Sequence, residues 1–138
     1  MTTDLNFSND NFIKNAEDFA YKLEIWVSYL AFFKTEIEFL KKIINTYPFQ
    51  SNVRNLFENI QIYSKNLDSF ESKRLLILKK SSRLKQQITK NEKEEIQKKY
   101  IQLVNEFNKI EDEILTFIET YNNLKNTIYN YVYALLPA

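Results

Sequence analysis

Apolar side chains recur at alternating gaps of three and four residues along three long stretches of this chain. The first stretch runs from Phe12 to Tyr47, the second from Val53 to Ile88 and the third from Ile96 to Leu135. A repeat of about 3.5 residues that persists over such a length is typical of helices packed along a common seam. The pattern therefore predicts an all-α fold built from three long helices.

The predicted helices occupy almost the whole chain, whose length suits one domain. Their expected spans are about residues 10–46, 52–89 and 92–136 of a single domain that covers 1–138. The chain has no Gly and only two Pro, so few sharp turns are expected. Pro48 separates the first two helices, because the residue before a proline disfavours the helical region.

Short polar side chains near the predicted helix ends are candidate caps. Residues 8–11 are expected to cap the first helix, and Ser51 or Asn52 the second. Asn91 and Glu94 resemble a capping box at the start of the third helix. One continuous helix through residues 80–100 is an open alternative at that last boundary.

Three helices of matched length with short connections favour antiparallel neighbours. The predicted architecture is a long up-down-up three-helix bundle with coiled-coil-like heptad packing, roughly 50–60 Å in length. Folding the chain at its two loops places Phe33 beside Leu67 and Phe117. Two layers of this alignment contain a polar residue, which is Ser81 in one and Arg74 in the other.

Arg74 interrupts the second seam and is expected to lie level with Trp26. Its aliphatic stem should pack in the seam while the guanidinium extends to solvent or lies against the indole ring. A carboxylate of a neighbouring helix, such as Glu111 or Glu24, is the expected partner. Arg74 then sets the register of the helices at some cost in stability, or it contributes to binding.

The first helix carries a second apolar stripe, about 110° around the helix from the first at ~100° per residue. A helix in a three-helix bundle touches two neighbours, which accounts for part of such a wide apolar surface. The large aromatic side chains exceed that need, and contiguous exposed apolar patches usually mark a binding surface. The hypothesis is an interface for a homo-oligomer or a helical protein partner, formed by Ile25, Tyr29, Phe32, Phe39 and Ile43 and interrupted at Glu36. A partial second stripe on the third helix consists of Ile101, Val104, Leu115, Ile118, Tyr129, Val132 and Leu136.

Charge is concentrated in one segment although the net charge is only +1. Residues 73–99 hold ten basic and three acidic side chains, so this segment is +7 and the rest of the chain is −6. In the predicted bundle this segment forms the tip where the second helix connects to the third. One interpretation is that this basic tip is solvated and partly paired with acidic side chains. The other is contact with nucleic acid, anionic lipid or an acidic protein, and nucleic-acid binding would be weak, non-specific and salt-sensitive. The candidate phosphate contacts are Lys79, Lys80, Arg83, Lys85, Lys98 and Lys99.

The chain has no Cys and no His. It therefore has no disulfide, no Cys/His zinc site, no thiol nucleophile and no His acid–base catalyst. The sequence indicates no site for a cofactor, a metal or a small-molecule substrate, and enzyme activity is not expected.

The N-terminal residues lack the basic and apolar regions of a secretory signal, and no apolar run approaches the roughly 20 residues of a membrane span. A cytoplasmic location is expected. The favoured function is a non-enzymatic interaction or structural module. The alternatives are an accessory nucleic-acid-binding subunit that uses the basic tip, and an inhibitor or immunity-type protein that acts by occlusion.

Overall fold

A computed structural model describes residues 2–50 and 52–137, with side chains described from Asn11 onward. The described residues form four helices, one more than predicted, and contain no strand, so the prediction of an all-α fold is confirmed. In chain order the helices are α1 (Thr2–Thr46), α2 (Leu56–Lys90), α3 (Lys93–Lys98) and α4 (Tyr100–Leu135).

The first two helices begin at other residues than expected. α1 begins at Thr2, ahead of the expected cap at residues 8–11. α2 begins at Leu56 instead of near Asn52, because Asn55 has φ 57 and ψ 25 in the left-handed region, which interrupts helical geometry. Asn tolerates that region better than most residues with a Cβ. Ser51, the other candidate cap, lies outside the described residues.

The chain breaks between α2 and α3, so the alternative of one continuous helix through residues 80–100 is wrong. Asn91 ends α2 with extended dihedrals of φ −84 and ψ 147. Glu92, which is also extended, precedes α3 without a side-chain capping bond, so the expected Asn91–Glu94 capping box is wrong as well. A second irregularity at Lys99 (φ −102, ψ 7) separates α3 from α4.

Cross-helix hydrogen bonds define how the three long helices align. Asn45 Nδ2 of α1 donates to Ser64 Oγ of α2 at 3.0 Å. Asn15 Nδ2 of α1 donates to the Tyr100 hydroxyl of α4 at 3.0 Å, across a separation of 85 residues. The Tyr121 hydroxyl of α4 donates to Glu36 of α1 across the same separation of 85 residues. A residue of α1 therefore lies level with the residue of α4 whose number is 85 higher.

The core consists of the seam residues of all four helices. The predicted contact between Phe33 and Phe117 is confirmed, with ring centroids 5.6 Å apart. Phe19 and Trp26 both stack on Phe107, at 4.3 and 5.4 Å between centroids. Burying each such aromatic or aliphatic side chain stabilises the fold by about 1.5–3 kcal/mol. The fully buried apolar side chains include Leu23, Leu30, Ile37, Leu40, Ile44, Leu67, Leu84, Ile114, Tyr121 and Ile128.

The two polar seam residues are both buried. Ser81 is fully buried, and its Oγ has no hydrogen-bond partner among the described residues. The Arg74 guanidinium does not extend to solvent as expected, since the residue is only 2% exposed.

The carboxylate partner of Arg74 also differs from the prediction. Glu71, one turn earlier on α2, accepts hydrogen bonds from Nε at 2.8 Å and Nη2 at 2.7 Å, in place of Glu111 or Glu24. Nη1 donates to the backbone carbonyl of Leu30 at 3.3 Å, one turn beyond the expected level of Trp26. These bonds to Glu71 hold the pKa of Arg74 above its usual value, although burial opposes them.

Candidate protein-interaction face

The predicted interface stripe of α1 is largely accessible to solvent. Ile25, Tyr29, Phe32 and Phe39 are 46%, 54%, 63% and 55% exposed, and Ile43 is partly buried. The other helices of the chain thus leave most of this apolar surface uncovered. Its assignment as a protein interface stays a prediction.

Tyr21 extends the same stripe toward the N-terminus, and the sequence analysis missed it. The side chain is 66% exposed. It lies four residues before Ile25, which is the spacing of neighbours on one helix face. This spacing from Ile25 is the signal in the sequence that identifies it.

The second stripe of α4 is partly exposed too. Leu115 and Tyr129 are among the exposed apolar side chains, while Ile118 packs against the core at the edge of the stripe. Ile101, near the start of α4, is also exposed. Lys125 belongs to this stripe by its spacing, since it follows Ile118 by two turns and precedes Tyr129 by one.

The polar interruptions of the two stripes pair with each other. Lys125 Nζ lies 3.3 Å from Glu36 Oε1, and the Tyr121 hydroxyl donates to the same oxygen at 2.7 Å. Because Glu36 lies in the stripe of α1 and Lys125 in that of α4, the two stripes meet side by side. Together they form one surface, here called the α1–α4 face, composed of Tyr21, Ile25, Tyr29, Phe32, Phe39, Ile43, Ile101, Leu115, Ile118 and Tyr129.

A shallow depression lies on the α1 part of this face. Its volume is about 490 Å³, and its lining includes Tyr21, Ile25, Ser28 and Phe32. The small Ser28 side chain lies between larger neighbours, so the surface offers both a recess and the protruding rings that border it. Such alternation of small and large residues suits the packing of another helix.

Replacing Tyr121 with Phe is expected to lower the free energy of unfolding by about 1.5–3 kcal/mol, since the hydroxyl bonds to a charged carboxylate. Burial first, and the bond to Glu36 second, raise the pKa of the Tyr121 hydroxyl above its usual value. A raised pKa in the folded state means that this stabilisation is complete below the unfolded pKa of about 10 and is lost as the pH rises further. Urea unfolding at pH 7 and pH 11 measures the effect. An equal alkaline loss in wild type and Tyr121→Phe would contradict it.

The basic tip does not gather its six candidate side chains on one surface. Lys80 pairs with Glu113 of α4 at 3.0 Å, whereas Lys85 lies 3.8 Å from Glu24 of α1. These two lysines therefore reach toward different neighbours of α2. Lys99 lies 4.0 Å from Glu95 on its own segment of chain. Half of the predicted phosphate contacts thus have carboxylate neighbours, and the role of the tip in binding nucleic acid stays a prediction.

A groove of about 420 Å³ between α2 and α4 is lined by Leu76, Lys80, Glu113 and Thr116, among others. Among the described side chains, no group of three or more carboxylates is arranged to hold a metal ion. None of the helices, over the part of the chain that is described, has an apolar segment suited to crossing a bilayer.

Comparisons with protein-family models, with curated proteins and with solved structures find no match to this chain.

Proposed function

We propose that this protein is a non-enzymatic interaction module that self-associates or binds a helical protein partner through the aromatic face of α1. The proposed scaffold is one domain, an up-down-up bundle of α1, α2 and α4 with coiled-coil-like packing. The alignment of Asn45 with Ser64, and of Leu30 with Arg74, supports opposite directions for α1 and α2. The constant separation of 85 residues between α1 and α4 supports a common direction for those two helices.

The observation that carries the proposal is the exposure of large apolar side chains along one side of α1. The stripe from Tyr21 to Phe39 extends over roughly 27 Å at ~1.5 Å per residue. Isolated exposed apolar residues are common, but a contiguous patch of aromatic rings usually marks a contact with another molecule. Aromatic side chains also supply much of the binding energy in known interfaces.

The spacing of the stripe favours a helical partner over an extended one. Tyr21, Ile25, Phe32 and Phe39 recur at intervals of four and seven residues, which forms a ridge parallel to the helix axis. Ridges of this kind pack into the grooves of another helix. The neighbouring stripe of α4, joined at Glu36 and Lys125, widens the surface that a helix can contact.

Replacing Phe32 and Phe39 together with Glu is expected to abolish association while preserving helicity, because both side chains are exposed within the chain itself. The matched control replaces Phe57 and Leu76 of α2, which are 72% and 55% exposed, with Glu. The measurement is the mass of the particle that contains the chain, purified from its native cells, by size-exclusion chromatography with light scattering. Circular dichroism reports helicity.

Wild type and the Phe57/Leu76 control are expected to form particles larger than the 16.6 kDa of one chain. The Phe32/Phe39 variant is expected at 16.6 kDa with unchanged helicity. A wild-type particle of one chain, or a Phe32/Phe39 variant that retains the larger mass, overturns the proposal.

A further inference from the structure

We infer that the molecule covering the α1–α4 face is a second copy of this chain, packed antiparallel about a two-fold axis level with residue 30 of α1 and residue 115 of α4. The inference rests on the proposed function, since it takes the face to be an interface. It adds the identity of the partner and the residues that meet. The charges along the α1 edge of the face, its shape and three exposed residues of α4 carry it.

The charges on the edge of α1 away from α4 are arranged for an antiparallel pair. Positions 17, 24, 31, 35 and 42 follow one another along this edge at helical spacing. Glu17 is at one end and Lys42 at the other, and both are exposed. In an antiparallel pair centred near residue 30, Glu17 faces Lys42 of the second copy, and the symmetry produces this contact twice. In a parallel pair Glu17 faces Glu17 and Lys42 faces Lys42, so like charges repel.

The apolar part of α1 is self-complementary about the same centre. Tyr21 meets Phe39 of the second copy, and the two-fold axis repeats this contact. Phe32 meets Ser28, whose small side chain lies in the depression on this face. A large ring therefore enters the recess that a small residue leaves, on both sides of the axis.

Three exposed apolar residues of α4 follow the same axis. The two hydrogen bonds that span 85 residues place residue 115 level with residue 30. Leu115, which is 56% exposed, then lies on the axis and contacts Leu115 of the second copy. Ile101 and Tyr129 lie at equal distances on either side of it, are 78% and 45% exposed, and face each other across the interface.

Charge exchange between positions 17 and 42 tests this arrangement with exposed residues that do not affect the core. Glu17→Lys and Lys42→Glu are each expected to raise the Kd of the dimer of the purified chain about tenfold at low salt, because each change creates two like-charge contacts. The double variant Glu17→Lys/Lys42→Glu is expected to return to within about twofold of wild type. An equimolar mixture of the two single variants is expected to form the mixed dimer preferentially.

The matched control exchanges Glu58 and Lys65, which are exposed on α2, and is expected to leave the Kd unchanged. Sedimentation of the purified wild-type chain is expected to give twice the mass of one 16.6 kDa chain. A monomer at high micromolar concentration overturns the inference. Single variants that leave the Kd unchanged also overturn it, since that is the expected result for a parallel pair, and so does a double variant that is not rescued. If the chain is monomeric when pure but larger when purified from its native cells, the second copy is excluded and the proposed function stands.

Discussion

Replacing Glu71 with Ala is expected to destabilise the fold by about 3 kcal/mol, because it leaves the Arg74 guanidinium buried without its carboxylate. Arg74 is 2% exposed, and two of its nitrogens donate to Glu71. Once that carboxylate is absent, the contact with the Leu30 carbonyl is the remaining hydrogen bond found for the guanidinium among the described residues. Breaking such a buried pair usually costs about 3–5 kcal/mol, and the lower value applies because the Glu71 side chain is 29% exposed. For a chain of 138 residues, this loss lowers Tm by about 10 °C.

Arg74→Met is the informative comparison, because it removes the buried charge and leaves the partly exposed Glu71 free to be hydrated. Its loss should be about 1–2 kcal/mol, smaller than that of Glu71→Ala, since an apolar side chain of similar length fills the site. Asp68→Ala, which removes an exposed pair with Lys41, should cost less than about 1 kcal/mol. Urea unfolding followed by circular dichroism gives all three values. Equal losses for Glu71→Ala and Asp68→Ala would contradict the role assigned to burial.

Replacing Phe33 with Ala is expected to lower the free energy of unfolding by about 3–5 kcal/mol. The Phe33 side chain is 4% exposed, and its ring lies 5.6 Å from that of Phe117 and 5.1 Å from that of Tyr121. The substitution removes these edge-to-face contacts and leaves a cavity where α1 meets α4. Neighbouring aromatic rings are rigid, so the cavity can close only in part.

The adjacent Phe32 is the matched control for Phe33. Its side chain is 63% exposed, so Phe32→Ala should change the unfolding free energy of the isolated chain by less than about 0.5 kcal/mol. Urea unfolding is measured at a low micromolar concentration of the protein, so that association does not contribute to the free energy of unfolding. The proposed interface predicts the reverse order for association, since Phe32 lies on the α1–α4 face and Phe33 lies beneath it. A loss of stability from Phe32→Ala that matches that from Phe33→Ala would show that Phe32 is not free of core contacts.

The apolar pattern was sufficient to predict an all-α fold and much of the core. The contact of Phe33 with Phe117 follows from aligning the seams by folding the chain at its two predicted loops. The start of α2 at Leu56 was not predictable in this way, because it depends on the left-handed conformation of Asn55. Local backbone geometry of this kind leaves no periodic trace in the sequence.

The polar partners were harder to predict than the apolar ones. The expected partners Glu111 and Glu24 lie on neighbouring helices, whereas Arg74 pairs with Glu71 on its own helix. Residues three apart on a helix are neighbours whatever the tertiary fold. That local pair is therefore visible in the sequence, whereas aligned seams indicate only contacts between helices.

The pattern alone did not determine whether the second stripes were covered. An apolar stripe has the same spacing whether it faces a neighbouring helix or solvent, and only coordinates distinguish the two. The interruptions at Glu36 and Lys125 held a clue, because opposite charges within one helical turn of the same level indicate that two stripes are adjacent. The pairing of these residues at 3.3 Å makes that relation explicit.

The short α3 has a consequence for the size of any assembly. Ile96 is buried in the core, whereas Lys93, Glu94 and Lys98 are exposed around it. Burying this charged turn against another molecule would require the dehydration of several ionised groups. In the proposed dimer, pairing about a two-fold axis would therefore use the apolar face and would end after two chains.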